Sequence, residues 1–274
     1  MSSVDVREMS REELRRMQLV ELDLLTELDR ICRKYDIKYV ICGGTLLGAV
    51  RHKGFIPWDD DVDTRMFRSE YIKFKEACKK ELDQSKYFLQ DFDSDPNYRW
   101  GYAKLTNINT VYRRTGQDNL KMRKHMFIDI FITDGMPKSE TGKKIYNKIR
   151  FCLQKTLWSP VGMKVSKSPF LRAWYRLLSL IPRNAIVAIV NMLAKKFPED
   201  NCEWACSLTY PTLVFREKML NRVELEFEGH MFWASAYWDS WLTNTYGPNY
   251  MELPPENERF GHNTAAYFEF GGGW

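Results

Sequence analysis

Residues 126–133 read Met-Phe-Ile-Asp-Ile-Phe-Ile-Thr, a run that is apolar at both even and odd positions and carries one carboxylate. Alternate side chains of a strand point to opposite faces, so such a run has to be covered on both sides. It belongs in the middle of a sheet with further layers over each face. An ionised Asp129 among Phe127, Ile128, Ile130 and Phe131 is costly to bury alone. The segment therefore asks for something positive beside that carboxylate.

The rest of the chain supplies the layers. Residues 10–35 read as an amphipathic helix: Ser10 and Glu13 fit a capping box, and Leu14, Met17, Val20, Leu24, Leu28, Ile31 and Tyr35 recur at steps of three and four. A short strand is expected over 38–42, a break at Gly43-Gly44, a short helix over 45–51 and a loop over 52–60 containing Gly54 and Pro57. A second strand follows over 61–66, then a helix over 69–82 with Ser69 as its N-cap. Further strands are expected over 87–92, 102–105 and 110–114. Residues 143–197 read as helical and interrupted by Pro160, Pro169 and Pro182, and the aromatic-rich remainder as mixed. The expectation is an α+β fold: a mixed β-sheet core flanked by helices, with a basic helical insertion. The 274 residues are read as one domain, with a catalytic core over 20–140, a basic helical segment over 141–198 and a C-terminal part over 199–274 that completes the site.

Charge is uneven. Residues 141–198 hold 12 Lys and Arg and no Asp or Glu, whereas the other 216 residues carry 29 basic and 36 acidic groups. A basic segment with Trp158, Phe170, Trp174, Tyr175, Leu177, Leu178 and Ile181 beside Lys164, Lys167, Arg172, Arg176 and Arg183 fits peripheral contact with an anionic membrane surface. No nucleic-acid-binding motif accompanies the charge, so nucleic acid is not an expected partner. The charged start of the chain has no apolar h-region, and no run of 18 uncharged apolar residues occurs. The six cysteines form no CxxC pair, and Cys202 and Cys206 read as one helix face. A reducing cytoplasm, on the inner face of the membrane, is the expected location.

The chemistry concentrates in Gly43-Gly44-Thr45 and in Asp61-Val62-Asp63. On a strand, side chains two apart share a face, so Asp61 and Asp63 converge and repel unless a cation lies between them. A hard divalent ion with oxygen ligands answers this, and Asp129 offers a third carboxylate. Glycines at a helix start let backbone N–H groups approach a phosphate, which the helix dipole also favours. An EF-hand reading of Asp59, Asp61, Asp63 and Glu70 fails, because Thr64 stands where the loop needs glycine. Arg51, His52 and Lys53 are candidates for neutralising phosphate. Trp58, Trp100, Trp233, Trp238, Trp241, Tyr237 and Tyr246 are candidates to face a quaternary ammonium.

The stretch CGGTLLGAVRHKGFIPWDDDVD resembles the signature of the LicD family, which is similar to the fukutin and fukutin-related proteins. HMFIDIF at 125–131, FEGHMF and YGPNYMELPP extend the resemblance across residues 20–262. It implies a nucleotidyltransferase-like fold. It also implies Mg²⁺, with Mn²⁺ as the alternative, held by Asp61, Asp63 and Asp129, and a phosphate loop at Gly43, Gly44 and Thr45. The implied reaction is transfer of a phosphorylated alcohol from a CDP-activated donor to a sugar hydroxyl. CDP-choline is the favoured donor, and the acceptor is a cell-surface glycan or its lipid-linked precursor, as in lipopolysaccharide or teichoic acid modification. Arg259 and His262 resemble a family R-x-x-H pattern. Two departures stand out: Thr64-Arg65-Met66 replaces an apolar residue followed by glycine, and Trp233-Ala234-Ser235 replaces a segment with proline. In the implied mechanism the acceptor hydroxyl attacks phosphorus in line with departing CMP, and Asp129 receives the proton. The rivals are a DxD glycosyltransferase using a nucleotide sugar, nucleotidyl transfer to a small molecule, and an inert binding scaffold.

Overall fold

The structure, a computed structural model, describes residues 7–117, 120–209, 213–261 and 265–272. In chain order the elements are α1 (Arg11–Lys34), β1 (Val40–Ile41), α2 (Gly43–His52), β2 (Asp63–Phe67), α3 (Arg68–Glu81), β3 (Tyr87–Gln90), β4 (Ala103–Asn107), β5 (Val111–Arg114) and β6 (Met126–Gly135). There follow α4 (Glu140–Val165), α5 (Pro169–Leu178), α6 (Arg183–Lys196), β7 (Trp204–Ser207), β8 (Val214–Phe215), α7 (Arg216–Leu220), β9 (Arg222–Phe227), β10 (His230–Ser235), α8 (Trp238–Tyr246) and β11 (Ala265–Glu269). This is an α+β chain in which helices flank a mixed sheet.

The main sheet runs β1-β2-β6-β4-β3. Only β2 and β6 are parallel to each other there; β1 on β2, β4 on β6 and β3 on β4 are antiparallel. Strand β6 is buried along its whole length. It extends past the end of β4, and β7 takes over the vacated edge, pairing Ser207 with Thr133 and Ala205 with Gly135. One face of β6, carrying Ile128, Ile130 and Ile132, packs with α1 and α3 in the principal core, which also holds Val20, Leu24, Leu28, Ile31 and Phe74. The opposite face carries Asp129 and Phe131, and there the functional cavities lie.

Local chemistry explains the boundaries and several departures from expectation. Helix α1 opens with the capping box: the Ser10 hydroxyl accepts from the Glu13 N–H at 3.1 Å, and the Glu13 carboxylate accepts from the Ser10 N–H at 2.9 Å. The Gly43-Gly44 pair is the first turn of α2 rather than a break before it, with Cys42 as N-cap. Strand β2 begins at Asp63, so Asp61 lies in the approach to the strand. Phe67, not Ser69, caps α3, because Ser69 is drawn to Glu199 through its hydroxyl and its N–H. Pro160 lies inside α4 instead of ending a helix. It deprives the Thr156 carbonyl of an i+4 donor, and the Ser159 hydroxyl donates to that carbonyl at 2.7 Å. Pro169 opens α5 and Pro182 caps α6. Cys202 and Cys206 do not share a helix: Cys206 is in β7, whose pairing with the end of β6 sets that segment extended.

Candidate functional site

Two adjacent backbones place the acidic cluster. Gly43 has φ +58°, a left-handed value that favours glycine. A Cβ added there would lie 2.6 Å from Asp63 Oδ2, and one at Gly44 would lie 2.5 Å from Asp59 Oδ2. The first turn of α2 is thus laid directly against two carboxylates. The Thr45 hydroxyl accepts from the Asp63 N–H at 2.8 Å, and the Cys42 N–H donates to the Asp63 carbonyl at 3.0 Å, fixing β2 to the helix start. Across the parallel pairing Asp63 faces Asp129, and across the antiparallel pairing Asp129 faces Lys104. The Asp129 N–H donates to the Val62 carbonyl at 2.9 Å. Lys104 Nζ lies 3.5 Å from Asp129 Oδ1 and 2.9 Å from the centre of the Phe127 ring. Asp59, Asp60 and Asp61 each offer an oxygen within 4.8 Å of the others. Gly261 closes over Asp60: a Cβ there would be 2.6 Å from Asp60 Oδ2.

Helix α1 adds a further acid. Glu21 is fully buried, with neither carboxylate oxygen hydrogen-bonded, and it feels Asp61, Asp60, Asp59 and Asp129. Its neighbour Gln18 donates to the Asp59 carbonyl at 3.0 Å, holding the acidic loop to α1. Burial first, then repulsion from this group of acids, pushes Glu21 and Asp63 well above the usual carboxylate range; the same two causes, led by burial, raise Asp59. Asp129 is also raised by burial, opposed by Lys104 and Arg114. Burial brings Lys104 down to about 7, although Asp129 pulls it the other way. Six carboxylates thus gather where Lys104 and Arg114 are the cations that most oppose the rise of Asp129. A hard divalent cation fits such an all-oxygen set; the Glu21 oxygens carry no hydrogen bond, and Asp129 Oδ1 has only the long ion pair with Lys104, so these are acceptors left for it.

The other sequence-derived residues fall at different distances from this cluster. A cavity of about 610 Å³ opens over Gly43, Gly44, Asp61 and Asp63, with Arg51 also on its lining. Its far wall carries Trp58, Tyr246, Tyr250, Glu252 and Glu258. Arg51 is tied down by donating to the Tyr250 and Glu252 carbonyls at 2.8 and 3.0 Å. His52 meets the edge of Trp58 at 6.4 Å between ring centres. Lys53 is exposed at the opposite end of α2, where its carbonyl accepts from the Glu228 N–H. Arg259 lies over the Trp58 ring at 5.6 Å, with its Nε donating to the Pro254 carbonyl at 2.9 Å. His262 lies outside the described residues. Asp129 lines a second cavity together with Trp100 and is not on the lining of the first. Trp233 is occupied between Arg33 and Arg222, and Trp241 sits under the fully buried Arg65, 5.5 Å from its guanidinium carbon.

Lys104, Arg114 and Glu21 were not among the residues singled out from sequence. Two of them carry a signal. Lys104 is a charge in a strand buried at every position, as Asp129 is. Glu21 stands four residues after Met17 and three before Leu24, within the apolar stripe of α1.

Comparisons with known proteins bear on what such a site does. A family model described as LicD/FKTN/FKRP, nucleotidyltransferase domain, matches residues 36–176. The chain is 32% identical over 265 residues to the lipopolysaccharide cholinephosphotransferase LicD of Haemophilus influenzae, an alignment covering 91% of this chain and 96% of that one. A Rickettsia typhi protein of undescribed activity is 45% identical over 53 residues, 19% of this chain and 17% of its own.

Proposed function

This chain belongs to the LicD/FKTN/FKRP nucleotidyltransferase-domain family, and we propose that it transfers phosphocholine from CDP-choline to a hydroxyl of a lipopolysaccharide or related cell-surface glycan, or of its lipid-linked precursor. The observation that carries this reading is the contact between the first turn of α2 and the carboxylates of Asp59 and Asp63, so close that a Cβ at Gly43 or Gly44 would come within 2.6 Å of an Asp63 or Asp59 oxygen. A helix start set beside carboxylates on the wall of one cavity suits a diphosphate together with a divalent cation. Similarity to a cholinephosphotransferase supports the choline headgroup. So does a cavity wall that combines Trp58, Tyr246 and Tyr250 with Glu252 and Glu258, because aromatic faces and carboxylates both favour a quaternary ammonium.

Asp61, Asp63 and Asp129 are the proposed ligands of Mg²⁺, or of Mn²⁺, with Asp59, Asp60 and Glu21 close by. When bound, that ion supplies neutralisation of the diphosphate and of the departing oxygen. The backbone N–H groups at Gly43, Gly44 and Thr45 hold the donor phosphates. The acceptor hydroxyl oxygen forms the new bond to the choline-bearing phosphorus, the bond from that phosphorus to the CMP oxygen breaks, and the hydroxyl proton passes to Asp129. Lys104, 3.5 Å from Asp129 and with its proton affinity lowered to near neutrality, is placed to share that proton. Positioning and charge neutralisation account for the catalysis. Incubation with CDP-choline, CDP-ribitol, CDP-glycerol, CTP and nucleotide sugars tests the reading. CMP release from CDP-choline with phosphocholine on a glycan is the expected result. Pyrophosphate from CTP, or sugar transfer from a nucleotide sugar, would replace the proposal with one of its rivals.

We also propose that the chain works against a membrane. Among the described residues no single helix is long and apolar enough to cross one. Helix α5 exposes Phe170, Trp174 and Leu177, at 78%, 51% and 60%, on one stripe that continues through Leu180 and Ile181. Exposed Arg172 and Arg176 occupy its other side, and Lys164 and Lys167 precede it. Such a helix lies in an interface with its apolar side down and its basic groups near anionic headgroups. Helix α6 is instead tied to the body by Ile186 and Val190, which pack with Leu153 and Leu157 of α4, and by Arg183, which donates to the Tyr98 and Phe92 carbonyls.

A further inference from the structure

The second cavity, of about 370 Å³, is lined by Asp129 of β6, whereas Asp63, its neighbour in register, lines the α2 cleft. Nothing in the family comparison assigns it a role. Three polar atoms on its lining residues are buried and have no hydrogen-bond partner: Arg99 Nη2, Trp100 Nε1 and Thr209 Oγ1. Trp100 is itself only 8% exposed. Buried polar groups are almost always paired, since each carries a desolvation penalty when it is not. Three such atoms, all on side chains that wall one hollow, mark a wall with unused hydrogen-bonding capacity.

The rest of the lining says what ligand suits that wall. Arg99 is anchored by its Nε, which donates to the Leu157 carbonyl at 3.1 Å, so its free Nη2 is held in place. Arg114 and Lys155 add two more positive groups, against the single carboxylate of Asp129. Trp100 and Trp158 supply broad apolar rings, and Trp158 is fixed edge-on against Tyr175 at 5.3 Å between centres. Two indoles, unsatisfied donors and an excess of positive charge suit a sugar ring with C–H faces, many oxygens and an anionic substituent. We propose that this cavity is a binding subsite for a phosphorylated or carboxylated saccharide. On the transferase reading above, on which the word acceptor rests, it is where the acceptor glycan sits, with its hydroxyl brought to Asp129.

The test uses the full chain, with glucose 6-phosphate as probe and glucose, inorganic phosphate and CMP as comparisons, read by calorimetry and saturation-transfer NMR. Glucose 6-phosphate binds at least tenfold more tightly than glucose or phosphate. Thr209→Val, which removes one polar atom with little change of shape, and Trp100→Phe, which removes the indole N–H together with part of the ring surface, each weaken it about fivefold or more and leave CMP affinity unchanged. Failure of glucose 6-phosphate to bind, equal affinity in the two variants and the native chain, or weakening of CMP instead of the sugar phosphate overturns the assignment. The two readings separate cleanly. Variant-sensitive sugar phosphate binding in a chain that turns over no CDP-alcohol keeps this subsite and removes the transferase. Glycan transfer at an unchanged acceptor KM in both variants removes the subsite and keeps the transferase.

Discussion

Asp129 is a carboxylate on a strand with no exposed position, flanked in register by Asp63 on one side and Lys104 on the other. Its neighbours, more than its own chemistry, decide what it does. Removing a charge from this cluster changes transition-state stabilisation and not a surface contact, so Asp61→Ala and Asp63→Asn are each expected to lower kcat by on the order of 10²–10³-fold, with an unchanged circular dichroism spectrum. An Asp63→Asn enzyme with native turnover would remove the proposed role. The glycines make a second, independent prediction. Gly43→Ala forces a Cβ into Asp63 at a left-handed backbone position, costing about 1–2 kcal/mol of stability from the backbone alone. CDP-choline binding by calorimetry should be lost even below the lowered melting temperature. The same residue-scale reasoning explains what sequence did not show. Lys104 and Glu21 look like ordinary charges until pairing and packing bury them, and Arg51 looks like a phosphate ligand until its donors are seen bound to the Tyr250 and Glu252 carbonyls.

At the scale of elements, the site is a meeting of ends: the start of α2, the start of β2, and the point on β6 where the two strands come into register. Periodicity located most of these elements, because a half-buried helix and a buried strand each leave a repeat in the chain. It did not place their ends. Ser69 was expected as an N-cap but is bonded to Glu199, 130 residues away in sequence. Pro160 stays helical because one hydroxyl satisfies the carbonyl it orphans. Helix α5 carries the element-scale prediction. Phe170→Ser together with Trp174→Ser removes exposed apolar surface without touching the core, so the fold is retained. Flotation with vesicles containing phosphatidylglycerol in moderate salt should fall several-fold, with CMP release from soluble substrates unaffected. Equal flotation of variant and native chains would leave α5 without a membrane role.

At the scale of the whole molecule, the gathered acids couple stability to pH and to metal. Glu21, Asp59 and Asp63 have proton affinities raised in the folded chain. The folded state therefore binds more protons than the unfolded one above the ordinary carboxylate range near 4, and stability contributed at low pH is lost as pH rises toward the folded values. Without added metal, the melting temperature is expected to fall as pH rises above about 4, through the raised folded-state range of these carboxyls. A divalent ion should reverse this, because it binds the ionised form. At a hundredfold excess over its dissociation constant it adds about 2.7 kcal/mol. The upward shift in melting temperature on adding Mg²⁺ should be larger at pH 8 than at pH 5. An equal shift at both, or none, would argue against a cation held by these carboxylates.

How much of this was written in the chain follows from the range of the forces involved. Local rules reach a few residues, and they sufficed for the capping box at Ser10, the stripe of α1, the buried character of β6 and the basic, acid-free run over 141–198. Which strand lies beside which is a long-range matter, decided by burying β6 on both faces and by backbone pairing across 66 residues from Asp63 to Asp129. That pairing sets Asp63 beside Asp129, and the equally long-range pairing of β4 with β6 lays Lys104 against Asp129; Gly261 comes over Asp60 from the far end of the chain, and Asp63 and Asp129 line two different cavities.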